Sequence, residues 1–537
     1  MKPAHPKRPA RPLVIVGWDG ATPELVEPWM ADGTLPNLAA LARRGGRAPL
    51  RSLVHPLSPA AWTSAFTGLN PGRHGIWDFG HRVFGTYTVE HTDARRRHGA
   101  TLWDIAAECG LRTAVLNVPL AHPAPADAPG IFVPGLGATT LEGATLPRDF
   151  ADRIATTHPD YAIDVDSLEH RDPATFLDAL HRLISARADL FEELLRTDRP
   201  DLMVAVFTAT DRVQHAFWGQ AALPGGPPER ESWRFGSSVR DTYRLLDDAL
   251  GRLVAAAGDE ATVLVVSDHG FGDLEGDLNL NAVLEDMGLL SVNRPYVAPT
   301  SPWERLLDVL PPILSRRAPG TRIPPAVFGD IEWTESKAYS RGLFGCIWLN
   351  LRGREPNGCV EPGPEAEGLL QAITDRVLEL RSPDGRTAIE AVFRGEDLYH
   401  GPLADEAPDL VVVPRDYRWM TRAGREIGAP GVVFGPAAVD HSGNHRMNGI
   451  LVGGGPGIEA GARPELLRLL DITPTALALL GIEVPRRLDG EPMHELLTCD
   501  VGWTDELPHR DPVTTQDDDA LNAAVEEQLR GLGYLAS

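Results

Sequence analysis

Short continuous apolar runs, each closed by a polar turn, recur along the chain. Leu13-Val-Ile-Val-Gly-Trp18, Thr113-Ala-Val-Leu-Asn-Val118, Leu202-Met-Val-Ala-Val-Phe207 and Thr262-Val-Leu-Val-Val266 lack the alternation of a half-exposed strand. Such runs predict strands buried on both faces. Between them, apolar residues recur at helical spacing near 23–31, 36–45, 101–109, 174–196 and 237–257. Gly45-Gly46 closes the second helix, a short strand at 47–53 follows, and Ser58-Pro59, a favourable N-cap and N1 pairing, opens the next helix. Later runs, Asp409-Leu-Val-Val-Val413 and Gly449-Ile-Leu-Val452, read as strands, and Asp471-Ile-Thr-Pro474 opens another helix. Strands alternating with helices predict an α/β fold: a mainly parallel central sheet with helices on both faces.

Two segments fit this alternation poorly. Residues 80–170 mix polar, proline-rich and short apolar runs, among them Ala121-His-Pro-Ala-Pro-Ala-Asp-Ala-Pro129. Residues 271–425 hold Gly342-Leu-Phe-Gly-Cys-Ile-Trp-Leu-Asn-Leu351, then Arg352-Gly-Arg-Glu-Pro356. Both are expected to be insertions that cap the open end of the sheet. The tail over 506–537 begins acidic, and its 520–534 stretch has the pattern of a short amphipathic helix. No internal repeat is visible.

Composition changes this picture little. A chain of 537 residues would by length alone suggest three or four domains. The formal net charge of −24 speaks against nucleic-acid polymers and anionic membranes as partners. Cys109, Cys346, Cys359 and Cys499 show no metal-ligand spacing and read as incidental thiols. The basic, proline-rich start, Met1 to Pro12, passes straight into the first strand. No apolar run reaches bilayer-spanning length, and the expected location is the cytoplasm. Oligomeric state is not legible.

The chemistry resides in seven residues: Asp19, Ser58, Asp211, His215, Asp268, His269 and His445. Nearly all sit where a predicted strand ends or a helix begins, and in an open α/β sheet such ends converge on one crevice. Asp211 and His215, four apart, share one helical face. Adjacent Asp268 and His269 can both turn inward only where a strand is ending. Taken singly, each residue has a plain structural reading. Asp19 is a common capping type, His215 could belong to the core beside Ala216-Phe217-Trp218, Asp268-His269-Gly270 could be an ordinary turn, and His445 a solvated loop histidine. Because ligands run from Asp19 to His445, they argue for one discontinuous catalytic domain over 13–489.

The set resembles the alkaline phosphatase superfamily, in its type I phosphodiesterase / nucleotide pyrophosphatase family. The resemblance rests on Ser58-Pro-Ala-Ala-Trp-Thr-Ser-Ala-Phe-Thr67-Gly68 with the following Pro71, His74 and Gly75, on Asp211-x-x-x-His215, on Ser267-Asp268-His269-Gly270 and on Gly443-Asn-His445-Arg446, all in the family's order. It implies two divalent cations, with Zn²⁺ the first expectation and Mn²⁺ or Fe also compatible with mixed Asp/His ligation. It assigns Asp211, His215 and His445 to one metal, and Asp19, Asp268, His269 and the Ser58 oxygen to the other. Ser58 is the expected nucleophile, with Thr63, a turn further into the helix, ranked second. The implied activity is hydrolysis of a phosphodiester or pyrophosphate in a small-molecule phosphate ester, through a phosphoseryl intermediate. Alternatives are a phosphomonoesterase, a phosphoryl transferase or mutase of the same superfamily, and a catalytically silent binding protein.

Departures from the family pattern limit the transfer. Relatives often carry Asn three residues after the nucleophile to grip a phosphoryl oxygen; this chain has Ala61. Backbone N–H groups, Arg446 and Asn70 remain open as replacements. Ala60 and Trp62 stand where a formylglycine sulfatase needs Pro and Arg, so that chemistry is not expected. His74 reads as structural, and His441 as a neighbour of the site or a proton donor to the leaving group. His55, His81, His91 and His98 read as exposed, Arg95-Arg-Arg97 as a solvated face, and Trp29, Trp62 and Trp218 as packing residues.

Overall fold

The computed structural model describes residues 11–507 except 126, 127, 129, 166–171, 294–325, 422–425, 429, 430 and 438–440, together with Val525. The basic start of the chain and the helix expected over 520–534, Val525 aside, lie outside the described residues.

The apolar runs become an eight-stranded sheet. From one edge its strands are Leu467–Arg468, Gly45–Arg51, Asn448–Gly454, Thr262–Val266, Leu13–Trp18, Leu202–Phe207, Thr113–Leu116 and Ile131–Val133. Only Asn448–Gly454 runs against its neighbours; every other pairing is parallel. The first strand pairs Leu13 with Leu202 on one side and with Thr262 on the other, so all three start level and end together.

Alternation along each strand divides the core in two. Val14, Val16 and Trp18 join Met203, Ala205, Phe207, Val263 and Val265 on one face, under the Pro173–Thr197 and Ser238–Ala257 helices. Leu13 and Ile15 join Leu202, Val204, Val206, Leu264 and Val266 on the other, under Ser58–Thr67, Leu102–Glu108 and Ile472–Leu479. Two buried faces explain why these strands read as continuously apolar.

The stretch 80–170, expected as a cap, contributes the last two strands at one side of the central sheet itself, Thr113–Leu116 and the edge strand Ile131–Val133. The strand expected at 409–413 forms as Leu410–Pro414, but in a separate antiparallel sheet with Ala338–Arg341, Cys346–Leu349 and Ile389–Arg394. That sheet has its own apolar core, in which Ile347, Leu349, Leu410 and Val412 meet Ile373 and Val377 of the Pro364–Leu378 helix. All four cysteines are free. No described helix is long and apolar enough to cross a membrane.

Candidate metal centre

Three neighbouring strands end at one place, and each delivers a carboxylate there. Asp19 follows Leu13–Trp18, and Asp268 with His269 follows Thr262–Val266. Asp211 and His215 lie on the Ala209–Phe217 helix, which begins just beyond Leu202–Phe207. His445 comes from a two-stranded ribbon in which Gly443–Arg446 pairs antiparallel with Gly270–Asp273, the continuation of the Asp268-His269 turn, so that His445 lies opposite Phe271. Ser58 is the first residue of its helix and lies on the His269 side, its Oγ 3.3 Å from His269 Nε2. Gly20 makes the turn after Asp19 possible: its φ is +70°, and a Cβ there would lie 3.3 Å from the His269 ring.

The six Asp and His side chains form two groups that could each hold a metal ion, Asp211–His215–His445 and Asp19–Asp268–His269, with the donor atoms of each within 4.8 Å of one another. The His269 and His445 rings stack with centroids 3.7 Å apart and join the groups. All seven residues are at most 5 % exposed, so three carboxylates share a space that water does not neutralise.

Each histidine is oriented by its backbone surroundings. His215 Nδ1 donates to Gly443 O at 3.0 Å, His269 Nδ1 to Gly270 O at 3.0 Å, and His445 Nδ1 to Pro56 O at 2.7 Å. A carbonyl can only accept, so the proton sits on Nδ1 and each Nε2 presents a lone pair inward. The Nε2 atoms of His215 and His445 face each other at 3.0 Å, and each is 3.3 Å from Asp211 Oδ1.

Each carboxylate likewise has one oxygen tied down. Asp19 Oδ2 accepts from the Trp62 indole at 2.9 Å, Asp268 Oδ1 from Gly20 N–H at 3.2 Å, and Asp211 Oδ2 from Arg212 at 3.0 Å. Asp19 Oδ1 and Asp268 Oδ2 are buried with no hydrogen-bond partner and lie 3.5 Å and 3.4 Å from His269 Nε2. Opposed lone pairs and orphaned anionic oxygens are what a bound divalent cation resolves. The donor set fits Zn²⁺, Mn²⁺ or Fe.

The acidities follow from the same crowding. Burial, then the charges of Asp268 and Asp211, push the Asp19 carboxyl well above its ordinary range. Burial, then Asp211, push Asp268 up to about 8. For Asp211, burial acts upward, but His215, His445 and Arg212 outweigh it and hold the carboxyl well below the usual range. Burial lowers His215 and His269, keeping both imidazoles neutral and able to ligate.

Other expectations fare unevenly. Ser58 does not cap its helix: Leu57 is the N-cap and Ser58 the first helical residue, which leaves the hydroxyl facing His269. Arg446 points away from the ligands, donating to Asp273 and to the Tyr417, Asn444 and His445 carbonyls, because alternation along its strand turns it opposite to His445. Asn70 is spent on Leu398 O, Gly72 N and His400 N. Of the three replacements for the Asn absent at Ala61, backbone N–H groups alone remain.

His74 is structural, bonded to Ser64 Oγ and Ile76 N. His441 stacks on His215, centroids 4.5 Å apart. His55 is buried rather than exposed, because Phe344 and Tyr417 cover its ring; His81, His91 and His98 are half-buried. The arginine run is no solvated face: Arg95 pairs with Asp93, Arg96 with Glu406, and Arg97 is buried. Trp62 does more than pack, since its indole N–H holds Asp19. That role and the one played by Arg212 had no signal in the sequence.

Residues 13–446 match the family model described as type I phosphodiesterase / nucleotide pyrophosphatase. No curated protein matches the sequence. Two solved structures of phosphonoacetate hydrolase from Sinorhizobium meliloti 1021, one in complex with phosphonoacetate and one with phosphonoformate, are similar in fold. Each is 17 % identical, with a TM-score of 0.55, covering 88 % of this chain and 96 % of that chain. At that identity the likeness speaks for the fold alone.

Proposed function

The chain belongs to the type I phosphodiesterase / nucleotide pyrophosphatase family, and from that premise we propose that it hydrolyses phosphodiesters or pyrophosphates in small-molecule substrates, with Ser58 as the nucleophile. The observation that carries this reading is the place of the Ser58 hydroxyl, 3.3 Å from His269 Nε2 and beside two buried three-ligand groups.

Asp211, His215 and His445 would hold one divalent cation, and Asp19, Asp268, His269 and the Ser58 oxygen the other, with Zn²⁺ the first choice. Cations bound there would acidify the Ser58 hydroxyl and offset charge on the phosphoryl group in flight. Ser58 Oγ attacks phosphorus in line, its proton passes to water, and the bond to the leaving alcohol or phosphate breaks, the leaving oxygen taking up a proton from water. The product is a phosphoseryl chain, which water then cleaves, restoring the serine. The helix end at Ser58 presents backbone N–H groups and the positive end of the helix dipole to the anionic phosphoryl oxygens. Trp62, Gly20 and the carbonyls of Gly443, Gly270 and Pro56 keep the ligands aimed throughout.

The test is the rate on an aryl phosphodiester and an aryl phosphomonoester, with metal content measured on the same protein. Two metals per chain with faster diester cleavage support the proposal. A faster monoester rate replaces it with a phosphomonoesterase, and transfer to an acceptor other than water replaces it with a transferase. Absence of both metal and turnover after Zn²⁺ or Mn²⁺ is supplied leaves a silent binding protein. Ser58→Ala should keep its metals and lose turnover on the order of 10³-fold or more; full turnover in that variant removes Ser58 from the role.

A further inference from the structure

We propose that Arg212 is a positioning residue that makes the Asp211–His215–His445 group the weaker and later-filled of the two metal sites, with Asp164 setting how strongly it does so. The inference rests on the two-metal reading above. Arg212 is 5 % exposed and lies between two carboxylates: Nη1 donates to Asp211 Oδ2 at 3.0 Å and Nη2 to Asp164 Oδ2 at 2.8 Å. Asp164 is itself held at Oδ1 by Val165 N–H at 2.9 Å and the Thr208 hydroxyl at 3.2 Å.

The two ligand groups are therefore unequal in charge. Asp19 and Asp268 bring two negative charges, and their tied oxygens accept from neutral donors, the Trp62 indole and the Gly20 N–H. Asp211 brings one negative charge, and its tied oxygen already accepts from a guanidinium. A dication entering the Asp211 group thus meets a single carboxylate whose charge is shared, and is repelled by a cation across a buried gap where salt screens poorly. Asp164 draws Arg212 the other way and relieves part of that penalty. The same contact leaves Asp211 Oδ1 as the oxygen that faces His215 and His445, so Arg212 fixes the geometry of the group as well as its strength.

The experiment titrates chelator-stripped, full-length protein with Co²⁺, followed by calorimetry and visible absorbance. The wild type should fill in two steps at least about tenfold apart, and His445→Ala should remove the weaker one. Arg212→Gln, which removes the positive charge but keeps an N–H donor for Asp211 Oδ2, should tighten the weaker step by about tenfold, whereas Asp164→Asn should weaken it severalfold, with the tight step unmoved in both. A merely structural role would weaken binding in both variants. Arg212→Lys keeps the charge and should keep the two steps apart, so Arg212→Lys and Asp164→Asn carry the test if Arg212→Gln does not fold. Shifts of the weaker step in the same direction in the Gln and Asn variants, merged steps in Arg212→Lys, or loss of the tight step in His445→Ala overturns the inference alone. Failure of the wild type to bind Co²⁺ at all overturns the two-metal reading with it.

Discussion

Each of the three candidate-ligand histidines commits its Nδ1 proton to a backbone carbonyl, and each of the three candidate-ligand carboxylates commits one oxygen to a fixed donor. What remains is a convergent set of Nε2 and carboxylate atoms that pays little ordering entropy when a cation arrives. The contribution of Trp62 separates cleanly from packing. Trp62→Phe keeps an aromatic ring in the core but removes the N–H that holds Asp19. Its expected effect is about a tenfold loss of metal affinity with the fold retained, read by calorimetry on stripped protein beside a circular dichroism spectrum. Sequence reading could not reach this role, because one nitrogen on a largely apolar side chain leaves no pattern. The ligand types were legible because Asp and His at strand ends are conspicuous against apolar runs.

Elements meet as closely as these residues do. Trp62 belongs to the Ser58–Thr67 helix, and its ring lies over Gly17 of the first strand, where an added Cβ would come within 2.7 Å of the indole and 2.9 Å of Val206. Gly17→Ala should therefore push the helix off the strand, destabilising the fold by about 1–3 kcal/mol. Denaturant unfolding would show the loss, and metal content should fall with it because Asp19 loses its donor. The elements that periodicity did predict formed within a few residues, as with Pro173–Thr197 against 174–196, but it gave no sign of the Phe150–Thr157, Leu280–Asp286 and Pro364–Leu378 helices or of the Ile131–Val133 strand. Nor did periodicity give the destination of strands. Leu410–Pro414 and Thr113–Leu116 are both short apolar runs, yet one enters the separate antiparallel sheet and the other the central sheet. Partner choice is a long-range property that a local pattern does not carry.

For the whole molecule, closing the site requires Asp19 and His445 to meet, so a cation held there would bind the folded chain and not the unfolded one. Chelation should lower the melting temperature and added Zn²⁺ raise it; a cation at a thousand times its Kd stabilises by about 4 kcal/mol. The effect depends on pH with a definite sign. Asp268, pushed up to about 8 from 3.8, and Asp19, raised likewise, keep protons in the stripped folded chain that the unfolded chain has lost. Stability of the stripped protein must then fall as pH rises between those limits, by about 1 kcal/mol per pH unit for each proton. Below 6.5 the neutral His215 and His269 act oppositely, because the unfolded chain protonates them and the folded chain does not. The clean window is therefore pH 6.5 to 8. Metal-free protein should melt lower at pH 8 than at pH 6.5, and the rise on adding Zn²⁺ should be larger at pH 8. Equal metal-induced shifts at both values would show that the carboxyls do not titrate in this way.

At that same scale, the sequence by itself determined the class of fold and the cast of the site, since continuous apolar runs demand strands covered on both faces and their polar ends supply the ligands. Tertiary structure alone decided which atom of each ligand faces inward, that Arg446 and Asn70 are spent elsewhere, and that Trp62 and Arg212 hold two of the carboxylates. It also decided that His55 is buried, under a ring drawn from almost three hundred residues along the chain. The physical reason is range. Periodicity and ligand type act over a few residues and are written in neighbours, whereas orientation, burial and acidity depend on groups that only the closed fold brings within a few ångströms of one another.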